Sequence, residues 1–308
     1  MSDQHWATKA IDDTALAALR AGLPPSALWS LLLDVLQARA AARMPADLLR
    51  QWERDGFVQP APIDQRTLVA LDGHLLAAAA DFEALALAPL APLGSCAQVG
   101  PTSQHKIVSA LRGTEVVSDP TNVLALECAR RLRRDPDQIV RLTTCHRCVR
   151  TQPFPRQPGF APHFSIFALA SGARERPEHG FSAAALAEHI AVHRAGLDRL
   201  ERHGYRFPAR RLTLLATAAR GALADRVAAL VADIPIERAA LTHPYYDGLR
   251  FQISARDPGG TDVPLIDGGV FDWLARLASN RRLVLVASGM GAQLAAYRFR
   301  TAGSMETP

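Results

Sequence analysis

Between Ile139 and Ser171 the chain reads IVRLTTCHRCVRTQPFPRQPGFAPHFSIFALAS, and this stretch restricts the fold more than any other. Ile139 to Thr151 is rich in Val, Thr and Cys, and His163 to Ser171 is aromatic and aliphatic; both compositions suit a pleated, half-buried surface. Gln152 to Pro162 carries four prolines, which lack the N–H a strand ladder needs, so it reads as a loop. Strand, long loop, strand is the expectation. It places Arg150, Arg156 and His163 at one mouth of the floor that the strands make. A small-molecule site fits there, but no reaction follows from that alone.

Periodicity and punctuation set the remaining elements. Asp12 to about Ala80 reads as helical throughout, with apolar stripes in TALAALRAGL, SALWSLLLDVLQARAAARM and PADLLRQWERDGF broken by prolines, and a further helix from Asp64 to Ala80. Its Ala and Leu side chains are expected to fill a core or a dimer face. ALALAPLAPLG reads as a buried extended segment ending at Gly94. In SDPTNVLALECARRLRR, Ser118 or Asp119 is placed to cap a helix, because a short oxygen-bearing side chain accepts from the free N–H groups of the first turn; Pro120 follows where its missing N–H is harmless. The clearest helix, Ser182 to His203, carries Leu186, Ile190, Leu197 and Leu200 on one face. GLRFQISA alternates Leu249, Phe251 and Ile253 with Arg250, Gln252 and Ser254, the period of a strand with one wet face. A strand LVLVASG and a helix from about Gly291 to Arg298 come last, before a frayed tail from Thr301. Strands separated by helices, yet with hairpin-like pairs, predict an α+β fold with a mainly antiparallel sheet. The expected organisation is a helical N-terminal extension at 1–60, one domain at 61–300 and a disordered tail at 301–308.

Composition removes several functions. The N-terminal MSDQHWATKAIDD has no apolar core for a signal peptide, and prolines interrupt the longest uncharged run, Ala84 to Gln104, so no membrane span is expected. Net charge is +5, yet the only lysines are Lys9 and Lys106. The arginines are scattered through helical patterns and not interleaved with aromatics as a base-stacking surface requires. There is no lysine-bearing phosphate loop, and Lys106 is the one candidate for a Schiff-base lysine. Cys96, Cys128, Cys145 and Cys148 make no disulfide framework, which fits a reduced, cytoplasmic setting. Cys145 and Cys148 flank His146 at a spacing used by zinc sites and redox pairs. Residues three apart on a strand point to opposite faces, however, so no metal site is expected there.

Taken in order, segments from Ala61 to Phe299 resemble the catalytic domain of the class II aminoacyl-tRNA synthetases, closest to histidyl-tRNA synthetase and its paralogue, the regulatory subunit of ATP phosphoribosyltransferase. FEALALAPLAPL resembles the first class motif, which builds the dimer interface. VSDPTNVLALECAR resembles a segment in which Asp119 and Thr121 would hold a substrate's ammonium group. Capping remains the alternative for both. RLTTCHRCVRTQPF through HFSIFALAS is similar to the second motif, and the match implies that Arg150 contacts the ATP α-phosphate. HPYYDGLRFQI resembles the tyrosine-pair strand of the amino-acid pocket, through Tyr245, Tyr246 and Gly248. LIDGGVFDWL resembles the following glycine-pair segment, through Gly268, Gly269 and Asp272, and VASGMGAQLAAYRF takes the place of the third motif.

The departures matter equally. Gln152 stands where the family carries an acid. Leu294, or Gln293 if the register slips by one, stands where it carries an ATP-binding arginine, and the histidine-specific arginine falls on Leu241. A planar, permanently charged fork stacks on adenine and pairs with phosphate, which Leu and Gln cannot do. Nothing in the given sequence resembles an anticodon-binding domain, so tRNA charging is not expected. Arg156, His163 and Arg250 are the available substitutes for the missing charge. The resemblance implies a homodimer that binds an amino acid through Asp119, Thr121, Tyr245, Tyr246, Arg250, Gly268 and Gly269. It implies ATP and Mg held near Arg150, Gln152, Arg156 and His163. Three functions are open: activation of the amino acid by adenylation for a non-tRNA acceptor such as a carrier protein or small amine; a catalytically silent, amino-acid-sensing subunit of a partner enzyme; or a structural dimer with no ligand, which predicts an occluded pocket.

Overall fold

The structure, a computed structural model, describes residues 10–153 and 160–301. Helices α1 (Asp13–Ala17), α2 (Pro25–Ala41), α3 (Pro45–Arg54) and α4 (Gln65–Ala78) lead to short strands β1 (Glu83–Ala84), β2 (Leu90–Pro92), β3 (Ser109–Ala110) and β4 (Thr114–Val116). Then come α5 (Pro120–Arg134), β5 (Val140–Val149), β6 (His163–Arg174), α6 (Gly180–Glu201), β7 (Arg211–Ala216), α7 (Gly221–Leu230) and β8 (Ile236–Ala240). Strands β9 (Leu249–Arg256) and β10 (Asp262–Phe271), helix α8 (Trp273–Leu277), strand β11 (Leu283–Gly291) and helix α9 (Ala292–Phe299) complete the order.

The strands on either side of the proline-rich loop pair antiparallel from Val140 with Gly172 to Val149 with His163. The sheet grows from them as β1-β5-β6-β11-β10-β9-β7-β8, with parallel pairing only at its two ends, β1 on β5 and β7 on β8. This is the mainly antiparallel α+β sheet read from the sequence. Strands β2, β4 and β3 form a separate small sheet.

Alternation along β6 divides the interior into two cores. Phe167, Leu169 and Ala173 join Leu71 and Leu75 of α4, Leu186 and Ile190 of α6, and Phe299 of α9. Ala168 and Ala170 join Leu124, Cys128 and Leu132 of α5 and Leu274 of α8. Fully buried leucines such as Leu124 and Leu186 each contribute about 1.5–3 kcal/mol by leaving water. Helix α6 keeps the face expected of it, since Leu186, Ile190, Leu197 and Leu200 are all buried.

The first core also holds a polar chain directly beneath the sheet. Ser171 Oγ lies 3.0 Å from His189 Nε2, and Ser288 Oγ lies 2.9 Å from His189 Nδ1 and 2.8 Å from His193 Nε2. His193 Nδ1 has no partner among the described residues. A buried lone pair is less costly to leave unpaired than a buried N–H. This assigns the His193 proton to Nε2, donating to Ser288, which donates to His189 Nδ1, whose Nε2–H donates to Ser171. Burial holds His193 down to about 3 and His189 well below the ordinary imidazole range. Both rings are therefore neutral when folded but take up protons near pH 6.5 when unfolded. Their contribution is fully present above pH 6.5 and is lost as pH falls towards the folded values, at about 1.4 kcal/mol per pH unit for each ring. Urea unfolding at pH 7.5, 6 and 5 is expected to show stability falling over this range; a flat or rising profile is the contrary outcome.

Two expectations for the N-terminal third change. No residue of α1, α2 or α3 is buried, so their Ala and Leu side chains do not fill this chain's core. The α2 side chains Leu31, Leu33, Val35 and Leu36 are instead exposed. ALALAPLAPLG is extended only at its two ends and is largely exposed; Leu90 and Leu93 show 42% and 43% of their surface. Of the tail expected from Thr301, only Thr301 lies within the described residues. Among the described residues no helix is long and apolar enough to cross a membrane.

Candidate active site

Helix α5 starts at the edge of a cavity, and its cap serves two sides. Asp119 has extended backbone angles, and its Oδ1 accepts from the Thr121 N–H at 3.0 Å and the Thr121 hydroxyl at 2.7 Å. That is the capping reading. The second oxygen, Oδ2, turns towards the cavity, where the Tyr245 hydroxyl donates to it at 3.5 Å and Arg150 Nη2 stands 3.7 Å away. One carboxylate thus fixes the helix with one oxygen and presents the other.

Arg150 follows the last residue of β5 and is tied down from three directions. Its backbone N–H donates to Pro162 O at 2.8 Å, its Nε donates to the Ser118 carbonyl at 2.8 Å, and its guanidinium lies 5.2 Å from the Phe164 ring centre. Gln152 also lines the cavity. His163 does not, although the sequence places it at the same mouth. Its Nε2 donates to the Gln59 carbonyl at 2.8 Å and its Nδ1 accepts from Arg147 at 2.5 Å, so both ring nitrogens are engaged away from the cavity lining. Arg156 lies outside the described residues.

The opposite wall comes from the loop into β9 and from β10. Gly248 has φ +75°, and a Cβ there would sit 2.5 Å from Arg220, so the turn after the tyrosine pair requires glycine. Tyr245 packs edge-on against Tyr246, Phe271 and Trp273. Burial, with the nearby Asp119 charge, pushes the Tyr245 phenol well above its ordinary pKa, and burial with Asp267 does the same to Tyr246. Arg250 makes a two-pronged pair with Asp267, at 2.7 and 2.8 Å, which raises its pKa further. Gly268 contributes backbone to the floor, together with Gly289 of β11. Gly269 does not line the cavity; its α-carbon lies against Leu249 O and the Tyr246 ring, supporting the wall from behind.

These residues enclose about 580 Å³. Asp119, Thr121, Arg150, Gln152, Tyr245, Tyr246, Arg250 and Gly268 come together there, and His163 and Gly269 do not. In the segment resembling the third motif, Leu294 faces the cavity, whereas Gln293 is wholly buried with neither end of its amide paired among the described residues. Sequence reading missed Asp267, His243, Ser288 and the place of Lys106 in the wall. Asp267 carried a readable signal, as an acid diagonal to Arg250 across the β9–β10 pair, where Asp267 pairs with Gln252 and Gly269 with Arg250.

Cys145 and Cys148 diverge as strand geometry requires. Cys145 packs at the margin of the first core near Asp72 O, and Cys148 is buried with Ala91 and Val117. Burial raises both thiols, which disfavours the thiolate that metal binding needs. Among the described residues no group of three or more His, Cys, Asp or Glu could hold a metal ion. For ATP, the cations of the cavity suit phosphate, but its two acids, Asp119 and Asp267, both stand beside arginines. Any Mg would be carried by phosphate oxygens and water rather than by a protein cage.

No family model and no curated protein matches the chain by sequence. Solved structures do match its shape. The apo histidyl-tRNA synthetase of S. aureus matches with TM-score 0.52 and 15% identity over 73% of this chain, which spans 62% of the synthetase. An ATP phosphoribosyltransferase regulatory subunit/histidyl-tRNA synthetase from Bacillus halodurans matches with TM-score 0.58 and 13% identity, covering 77% of this chain and 80% of that one. A histidine–tRNA ligase subunit from Alicyclobacillus acidocaldarius reaches TM-score 0.59 at 14% identity, covering 78% and 95%. The large antiparallel sheet, the helices on its two faces and these structural matches together give the chain a class II synthetase-like fold.

Proposed function

We propose that the cavity binds an amino acid and activates its carboxylate with ATP for transfer to an acceptor other than tRNA. One observation carries this reading: the cavity-facing oxygen of Asp119, the Tyr245 hydroxyl and the Arg150 guanidinium converge on one space. Asp119 Oδ2 receives the ammonium group, and Thr121 holds the carboxylate in place. Tyr246, Arg250 and Gly268 bound the side-chain region, while Gly269 supports Tyr246. Bound ATP would supply the α-phosphorus that the substrate carboxylate attacks, the new O–P bond forming as the α–β P–O bond breaks and pyrophosphate leaves. Arg150, fixed by Ser118 and Phe164, supplies charge at that phosphate without having to reorganise, which is how phosphoryl chemistry gains most of its acceleration. The binding unit is 61–300, with 1–60 as an extension. The exposed segment around Leu90 and Leu93 meets a second copy of the chain.

Asp119→Asn tests the reading cleanly, because Asn caps a helix about as well as Asp but carries no charge. Stability is expected to change by less than about 0.5 kcal/mol, while the rise in melting temperature produced by the cognate amino acid, found by screening a panel with and without Mg-ATP, is lost. If no amino acid raises the melting temperature of the parent protein, the reading fails. A second reading, a silent sensing subunit, is favoured by Leu294 in the wall and Gln152 beside Arg150. It expects the amino-acid shift without any amino-acid-dependent pyrophosphate exchange.

A further inference from the structure

The charges in the cavity do not balance, and the surplus has a definite place. Arg250 is held by Asp267 and Arg150 faces Asp119, but Lys106, also in the wall, has no carboxylate within ion-pair distance among the described residues. Nearby, the wall offers Gln152, a neutral amide. Lys106 ends a single turn, Gln104–Lys106, whose start is capped by Ser103. That turn is bolted to the residue after Arg150: Thr151 N–H donates to Lys106 O at 2.9 Å and Thr151 Oγ1 donates to His105 O at 2.7 Å. On its other side, the Gln104 amide donates to the buried Glu115 carboxylate at 3.1 Å. The backbones that carry the lysine and the arginine are therefore one rigid unit, although the two residues are far apart in sequence.

We propose that Lys106 and Arg150 form a two-cation subsite for a phosphate chain, with Lys106 supplying the positive charge that Leu294 does not. A planar fork beside a compact ammonium suits adjacent phosphate groups: the fork takes two oxygens of one phosphate, and the ammonium acts on the next as a point charge. Only the bearer of the phosphates rests on the function proposed above; the anion subsite itself does not. In this chain the ammonium can be followed directly, because Lys9 is the only other lysine.

Two measurements test it. Calorimetric titration with inorganic pyrophosphate and with ATP is expected to show Lys106→Ala weakening both by at least about tenfold, and Lys106→Arg within about threefold of the parent, the scale of one charge-assisted contact. Lys106 is exposed, so neither change disturbs a core. In amine labelling read by mass spectrometry, pyrophosphate is expected to slow modification of Lys106 at least about fivefold and to leave Lys9 unaffected. Equal pyrophosphate affinity in Lys106→Ala and parent, or unprotected Lys106, overturns the assignment. So does a parent protein that binds neither anion at millimolar concentration. Failure of the amino-acid reading is a separate result, seen as no thermal shift with any amino acid.

Discussion

Arg150→Ala is expected to lower amino-acid-dependent pyrophosphate exchange by about 10²–10³-fold, the usual cost of removing one preorganised donor to developing charge. Two further losses accompany it. Ser118 O gives up the 2.8 Å bond from Nε, and Asp119 loses its neighbouring cation. Leaving a carbonyl short of a donor in this part-buried place costs about 1–2 kcal/mol of stability, so the variant remains folded and its defect can be read in the chemistry. Arg150→Lys is expected to recover little, because an ammonium cannot reach the Ser118 carbonyl, lie flat on Phe164 and face a phosphate at once. Exchange in Arg150→Ala at the parent's rate removes the residue from the reaction. A parent that exchanges with no amino acid in a broad panel favours the sensing subunit instead.

Gly269→Ala is expected to be among the most damaging glycine substitutions at the described residues. The added Cβ would stand 2.3 Å from Leu249 O and 2.6 Å from Tyr246 Cδ1. The first of these contacts is with backbone on the paired strand β9, so relief requires β9 and β10 to separate where Gly269 pairs with Arg250. Overpacking costs typically 1–3 kcal/mol, and with rigid backbone as the obstacle the expected loss lies at or above about 3 kcal/mol. Tyr246 and Arg250 shift with the strands, so amino-acid binding falls too. Gly73→Ala is the matched control: nothing lies within 4 Å of its added Cβ, and in the middle of α4 it is expected to stabilise by about 0.5–1 kcal/mol. Urea denaturation of the two variants checks both signs. Equal stability of Gly269→Ala and the parent contradicts the packing described here.

Much of this fold was legible because its signals are local. The proline-rich loop between two β-type runs marked β5 and β6, and strict alternation marked β9. Strand β8 escaped because only Ile236 in it is even partly covered, leaving no period to read. Strand β2 lies in the stretch read as extended, but its apolar composition suggested burial that the chain does not provide. In the site, residue type and order pointed to Arg150, Asp119 and Tyr245. What the sequence could not carry was which oxygen of Asp119 faces the cavity, or that His163 turns to Gln59. Nor could it show that the turn carrying Lys106 docks on Thr151, the residue after Arg150, since each of these depends on contacts between distant segments.

Helices α1 to α3 bury nothing completely, and this has a consequence for how the chain comes apart. None of their residues belongs to either core, so the free energy that holds them shut is expected to be largely separate from the free energy that holds the sheet together. The molecule is then expected to unfold as at least two cooperative units rather than one. Its N-terminal amides exchange with solvent through a shallow local excursion, while those of β5, β6 and β11 wait for global unfolding. A single melting temperature describes the second process and is silent about the first.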